Sequence, residues 1–276
     1  MKPARFDYER PADLGAALAL LRQQDAVVKI VAGSQSLGPM LNLRLVQPDL
    51  LVDITGLPEL KRVEIGDTHI VIGACVTHAD IEDGRALDAG DATGAVLSLV
   101  ARGIAYRAVR NRGTLGGSIV HADPSADWIS SLCALGAEVV IAGAGERRTM
   151  PLADFMTGVF EVDLASDEML EAVRIPRLSR QARWGYHKLC RKTGEFAHAI
   201  GVVLHDPERS VCRVVLGATE SRPIVVAQAE GLFGEGRTLR TQAAHALLVD
   251  AGHVDALHNQ THLAALKRAA LKAQQP

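Results

Sequence analysis

The chain of 276 residues is long enough for one large or two ordinary domains with a full core. An apolar share of 48% fits a folded protein, and a formal net charge of −2 removes the electrostatic case for nucleic-acid binding. The start, Met1-Lys2-Pro3-Ala4-Arg5-Phe6-Asp7, lacks the apolar run of a signal peptide, and no apolar stretch reaches the ~18 residues of a membrane span. The expected location is therefore the cytoplasm, with no membrane insertion. Cys75, Cys133, Cys190 and Cys212 never approach a CxxC spacing. Reduced, mostly buried thiols are expected rather than a zinc or iron–sulfur site, and no metal ligands are assigned to this chain.

In chain order, Pro11-Ala12-Asp13 opens a helix with Leu14, Leu18 and Leu21 on one face. Val27 to Ala32 reads as a buried strand that ends at Gly33, and Leu50 to Ile54 as another after Pro48. Helix, strand, loop, strand in this order puts the segment after Gly33 at the C-terminal end of a strand, where α/β proteins bind ligands. Leu60–Ile65 and His69–Gly73 flank Gly66-Asp67, a hairpin signal. Thr77 is a candidate N-cap for a helix through Ile81, and Thr93 for an apolar helix from Ala95 to Ala105. Ser125 to Leu135 reads as helix with Trp128, Leu132 and Leu135 on one face. Val139–Ala142 and Arg147–Met150 suggest a hairpin around Gly143-Ala144-Gly145, and Met169–Ile175 a strand stopped by Pro176.

The basic run Arg177 to Arg183 reads as a linker to a smaller α+β domain. That domain has three expected strands, Trp184–Leu189, Ala199–His205 and Val211–Leu216. Three expected helical segments follow, Ile224–Phe233, Thr241–Val249 and His262–Ala273.

Two glycine-hydroxyl segments carry the chemistry. The first is Ala32-Gly33-Ser34-Gln35-Ser36-Leu37; the second is Gly113-Thr114-Leu115-Gly116-Gly117-Ser118, followed by His121-Ala122-Asp123-Pro124-Ser125-Ala126-Asp127. Neither glycine segment holds a Lys or Arg. Backbone N–H groups and hydroxyls then become the expected grip on a pyrophosphate. Gly113, Gly116 and Gly117 permit backbone angles that a Cβ resists and allow close ligand approach. Asp123 before Pro124 also reads as a helix N-cap, with or without a ligand role. His121 is more simply a packed polar residue than a catalyst.

Other motifs fall away. A G-x-S-x-G nucleophile elbow at Ser36 needs Gly at position 34, which is Ser34. Gly143-Ala144-Gly145-Glu146-Arg147-Arg148 begins like GxGxxG but ends on Arg and precedes a strand, not a helix. No GxxxxGK[ST] occurs. The residues alone leave FAD and NAD equally open.

The two segments resemble the FAD-binding (medium) subunit of molybdenum-containing hydroxylases, the xanthine dehydrogenase and carbon monoxide dehydrogenase family. Lys29 through Ser36-Leu37 to Asn42-Leu43-Arg44-Leu45 resembles the family's first flavin motif, and Val109 to Ser118 its second. Ile72-Gly73-Ala74 with Thr77-His78, and Lys188-Leu189 with Arg191-Lys192 and Glu195-Phe196-Ala197, are similar too. The resemblance covers essentially the whole chain.

It implies an α+β protein with a two-lobed FAD-binding fold of the vanillyl-alcohol-oxidase (PCMH) type. Residues 1–176 would form that domain, with lobes of about 1–57 and 58–176; residues 177–276 would form a C-terminal domain with a three-stranded antiparallel sheet and helices. It implies non-covalent FAD, with Ala32, Gly33, Ser34, Gln35, Ser36 and Leu37 on the pyrophosphate. Thr114, Leu115, Gly116, Gly117 and Ser118 would hold the phosphates and ribityl chain. Thr77, Ile104, Asp123 and Asp127 would add contacts, and Leu170 and Lys188 would lie close to the flavin ring. A molybdenum-pterin cofactor in a large subunit and [2Fe-2S] clusters in a small subunit are the implied partners, with an external electron acceptor. No catalytic residue is assigned to this chain.

The family usually has Gly where this chain has Ser34, and often Asn where it has Ser118. A free-standing flavin oxidoreductase of the same fold, or a nucleotide-binding module without a redox role, are the alternatives.

Overall fold

In the computed structural model, the described residues are 2–275 except 24, 86, 88, 89, 144 and 146, and they form three sheets and a small hairpin. The first sheet is parallel, in the order β1-β3-β2, from β1 (Asp7–Glu9), β2 (Val28–Val31) and β3 (Leu50–Asp53). Between β1 and β2 runs α1 (Leu14–Leu21), capped by Asp13, whose carboxylate accepts the Ala16 amide at 2.7 Å. Its Ala17, Leu18 and Leu21 are buried against the sheet. The segment between β2 and β3, expected as loop, contains a short helix, α2 (Leu37–Asn42). Pro39 fits its first turn, and Arg44, at φ +56, turns the chain out of it.

The second sheet is antiparallel, in the order β4 (Val63–Ile65), β5 (His69–Gly73), β10 (Met169–Pro176), β6 (Glu138–Ala142) and β7 (Arg148–Pro151). β4 (Val63–Ile65) and β5 (His69–Gly73) form the expected hairpin, with the Gly66 amide donating to the His69 carbonyl at 2.9 Å. Four helices follow: α3 (His78–Glu82), α4 (Ala92–Arg102), α5 (Arg107–Arg110) and α6 (Leu115–His121). Thr77 caps α3 in a reciprocal capping box with Asp80. Asp91, not Thr93, caps α4; Thr93 is buried and its hydroxyl instead accepts the Leu178 amide at 2.9 Å.

Then come α7 (Asp127–Leu135), β6 (Glu138–Ala142), β7 (Arg148–Pro151), α8 (Leu152–Phe155), the hairpin β8 (Met156–Gly158) and β9 (Glu161–Val162), and β10 (Met169–Pro176). β6 and β7 pair antiparallel as expected, while Ala144 and Glu146 of the turn lie outside the described residues. Asp123 is not the cap of α7. Its carboxylate accepts the Ser125 amide two residues on, a local turn, and α7 starts after Ala126 without a side-chain cap.

The third sheet is antiparallel, β11 (Arg183–Leu189), β12 (Ala199–Asp206), β13 (Val211–Gly217) and β14 (Ile224–Val226). It has four strands, not the expected three. Ile224, expected to open a helix, opens β14, which pairs with Val214–Leu216; a 3-10 turn at Glu230–Leu232 follows. α9 (Thr241–Asp250) matches expectation, whereas α10 (Ala256–Lys272) starts six residues early, where Asp255 accepts the His258 amide at 2.7 Å.

Every residue of α7 is buried, because sheet two packs on one side of it and β12 and β13 on the other. One apolar cluster thus joins Ile70, Trp128 and Val173 to Ile200, Val202 and Val215. The opposite face of the third sheet packs against α9 and α10 through Val214, Leu216, Leu248 and Leu266. Residues 177–182 are pinned at their start: Arg177 pairs with Asp91, and Ser179 bonds Asp206.

Candidate dinucleotide-binding site

The second glycine segment is not a loop. Thr114 is the N-cap of α6, its hydroxyl accepting the Gly117 amide at 3.1 Å, so Gly116 and Gly117 lie inside the helix. Its amides are largely consumed: Leu115 donates to the Val76 carbonyl at 3.0 Å, Gly116 to Ala74 at 2.9 Å and Ser118 to Thr114 at 3.1 Å. The segment is thus zipped to residues 74–78, where the His78 amide also donates to the Gly113 carbonyl at 2.9 Å. None of Gly113, Gly116 and Gly117 has a positive φ. Room, not backbone angle, is what Gly116 supplies: a Cβ there would lie 2.5 Å from the Ala74 Cβ. Gly117 is exposed and Ser118 half-buried, so they remain open to a ligand.

The first segment behaves in the opposite way. Among the described residues, the amides of Gly33, Ser34, Gln35, Ser36 and Leu37 donate to no acceptor in the chain. Ser34 sits at φ +60, the left-handed region where glycine is favoured, which is the physical reason for a glycine at this position. Its hydroxyl fits because Gly38 has no side chain: a Cβ on Gly38 would lie 2.8 Å from Ser34 Oγ. Gln35 folds back, donating to the Gly33 carbonyl at 2.9 Å, while the exposed Ser36 makes no side-chain cap for α2.

The two segments meet. A Cβ on Gly33 would lie 2.2 Å from the Arg112 carbonyl oxygen and 2.7 Å from the Gly113 Cα. Beneath Gly113 lies the His78 ring, 2.9 Å from where a Cβ would stand. Trp128 donates its indole N–H to His78 Nδ1 at 3.1 Å, which fixes the ring proton on Nε2. Burial pushes the His78 ring down to about 4, so it is neutral.

Of the remaining expected residues, Thr77 spends its hydroxyl on Asp80, at 2.6 Å. Leu170 is buried in the core one residue before Glu171, whose carbonyl accepts the Ala74 amide. Asp123 is half-buried in its own turn. Asp127 and Lys188 are brought together: Lys188 Nζ donates to Asp127 Oδ2 at 2.9 Å and reaches the Gly103 carbonyl at 3.4 Å, beside Ile104. The Tyr186 hydroxyl donates to the other oxygen of Asp127. Burial pushes the Asp127 carboxyl up, against the pull of Lys188 and Tyr186, and pushes the Tyr186 hydroxyl well up. Tyr186 and Trp128 are site neighbours that sequence reasoning did not connect to it. The i, i+2 spacing of Tyr186 and Lys188 on one strand was the available signal.

Five consecutive unpaired amides, in a segment without Lys or Arg and held against Arg112 and Gly113, fit a pyrophosphate bound by backbone dipoles. Such a grip suits a protein that binds a phosphate-bearing cofactor. The family model described as the FAD-binding domain in molybdopterin dehydrogenase matches residues 4–178. The carbon monoxide dehydrogenase medium chain of Hydrogenophaga pseudoflava is 35% identical over 84% of this chain and 80% of its own. The caffeine dehydrogenase subunit beta of Pseudomonas sp. (strain CBB1) is 34% identical over 81% and 76%. The structure of the Hydrogenophaga pseudoflava carbon monoxide dehydrogenase lacking its Mo-pyranopterin moiety superposes with TM-score 0.87 at 31% identity, covering 99% of this chain and 98% of that one. The chain belongs to the FAD-binding domain family of molybdopterin dehydrogenases, a family of oxidoreductase subunits.

Proposed function

We propose that the chain is the electron-transfer flavoprotein of a cytoplasmic, multi-subunit molybdenum hydroxylase. Electrons released at a molybdenum-pterin centre in a large subunit reach it through the [2Fe-2S] clusters of a small subunit, in a heterotrimer, and leave to an external acceptor. FAD supplies the redox chemistry when bound. The chain binds, orients and tunes it. Residues 1–176, in lobes 1–57 and 58–176, form the FAD-binding domain, and residues 177–276 the C-terminal domain.

The observation that carries the reading is the run of open amides at Gly33–Leu37, set against Arg112 and Gly113. Ala32 to Leu37 take the pyrophosphate. Thr114 to Ser118 contribute differently: Thr114, Leu115 and Gly116 hold the frame, and Gly117 and Ser118 face the cofactor. Thr77 and Asp123 fix the turns beside them. Ile104, Asp127, Leu170 and Lys188 shape the ring end, where a Lys188 ammonium favours negative charge on the ring.

The full chain loaded with FAD tests this. Reduced [2Fe-2S] partner subunit should bleach its visible flavin band, while organic substrates of the complex alone should not. Bleaching by an organic substrate alone would make the chain a free-standing flavin oxidoreductase.

A further inference from the structure

Tyr186 and Lys188 are two residues apart on β11, so their side chains leave the same face of the strand. That face meets the start of α7, where Asp127 is the first helical residue and the helix N-terminus favours its negative charge. The three side chains form one buried unit, with 9% of the Lys188 side chain and 7% of Asp127 exposed. Each oxygen of Asp127 has a donor, Tyr186 on Oδ1 and Lys188 on Oδ2. Each oxygen of Asp127 thus already accepts one hydrogen bond from within the chain.

Lys188 is the member with capacity to spare. An ammonium has three N–H donors. One is used on Asp127 and one on Gly103. Among the described residues, the third has no acceptor. A buried donor without a partner is costly unless something outside the chain accepts it.

We infer that Tyr186 is a positioning residue for the cofactor: by holding Asp127 it keeps Lys188 fixed and partly neutralised, and so sets how strongly the site favours reduced over oxidised FAD. This rests on the reading above that Lys188 faces the flavin ring. The sign follows from charge. Reduction adds negative charge to the ring, and a more positive site favours it. Lys188→Met removes the cation, so the preference for reduced FAD falls. Asp127→Asn removes the counter-charge at nearly constant shape, so the preference rises. Tyr186→Phe removes the hydrogen bond that stabilises ionised Asp127, so the preference shifts the same way as in Asp127→Asn, by less.

The experiment is a redox titration of the FAD-loaded full chain and its three variants, with the affinity for oxidised FAD and the thermal midpoint measured alongside. Asp127→Asn is expected to raise the ratio of reduced to oxidised FAD affinity at least tenfold, about 30 mV for a two-electron couple. Tyr186→Phe is expected to move the midpoint potential in the same direction, and Lys188→Met in the opposite one. A purely structural Tyr186 would lower the thermal midpoint and weaken both forms of FAD equally, leaving the ratio unchanged; that result overturns the inference. Tyr186→Phe is nearly isosteric and keeps the test decisive if Asp127→Asn does not fold. If Lys188→Met leaves the potential unmoved, the placement of Lys188 fails. If Lys188→Met shifts it and the other two do not, the inference alone fails.

Discussion

Gly33→Ala is the smallest change that should separate the two glycine segments. The new Cβ would stand 2.2 Å from the Arg112 carbonyl oxygen and 2.7 Å from the Gly113 Cα. Both obstacles are backbone atoms, so no side-chain rotation relieves the overlap. An ordinary C···O approach is about 3.3 Å, so the segments must part by about 1 Å. A hydrogen bond stretched by that much, from about 2.9 to 3.9 Å, is no longer one. Each bond from an amide to a charged phosphate contributes about 1.5–3 kcal/mol. Losing one weakens FAD binding about tenfold or more, and losing two about a hundredfold. Overpacking itself costs the fold about 1–3 kcal/mol. Fluorescence titration of apoprotein with FAD reads the first effect and thermal denaturation the second. Gly231→Ala is the control, because nothing lies within 4 Å of its Cβ. A Gly33→Ala variant that binds FAD as the parent does would refute the contact between segments as the seat of binding.

Gly117→Val should lower FAD occupancy and cost the apoprotein about 1 kcal/mol, since its Cβ would lie 2.8 Å from the Thr114 hydroxyl that caps α6. Gly116→Ala should destabilise the apoprotein more, through Ala74; equal thermal midpoints for the two variants would contradict this. Ser34→Gly relieves a left-handed residue and should raise the thermal midpoint by about 2 °C, for about 1 kcal/mol; a lower midpoint would show that the hydroxyl beside Gly38 matters more. His78, held near 4 against 6.5 when unfolded, binds fewer protons folded than unfolded. Its contribution, about 3 kcal/mol, is complete above pH 6.5 and is lost as pH falls toward 4. Urea melts across that window should show a smaller acid loss in His78→Gln than in the parent, and parallel losses would remove His78 as the cause.

Much of the frame was legible because its strands are apolar runs bounded by turn residues, as at Val28–Val31, Leu50–Asp53 and His69–Gly73. β1 was not: Asp7, Tyr8 and Glu9 are all exposed on a parallel edge, with no alternation to read. Tyr8 is tied there by its hydroxyl to Asp53, a contact 45 residues distant. Ile224–Val226 looked helical because the Ala- and Leu-containing run after it resembles a helix, yet pairing with β13 decides the outcome. The glycines of the second segment argued for a loop by propensity alone. A Thr114 cap and the bonds to Ala74 and Val76 override that propensity. The site was legible as two glycine segments, and the division of labour between them was not. Which amides stay open depends on what residues 74–78 consume, a contact about 40 positions away in the chain. Asp127 and Lys188 were each visible, but their direct ion pair, with Tyr186 on the same carboxylate, depends on side chains of β11 reaching the start of α7.

The most direct measurement is the structure of the full chain crystallised with FAD. The amides of Gly33 to Leu37 should lie within hydrogen-bond distance of the pyrophosphate, with Gly117 and Ser118 beside the same molecule. FAD seated elsewhere, or an apoprotein that stays colourless and takes up no FAD at all, would contradict the assignment.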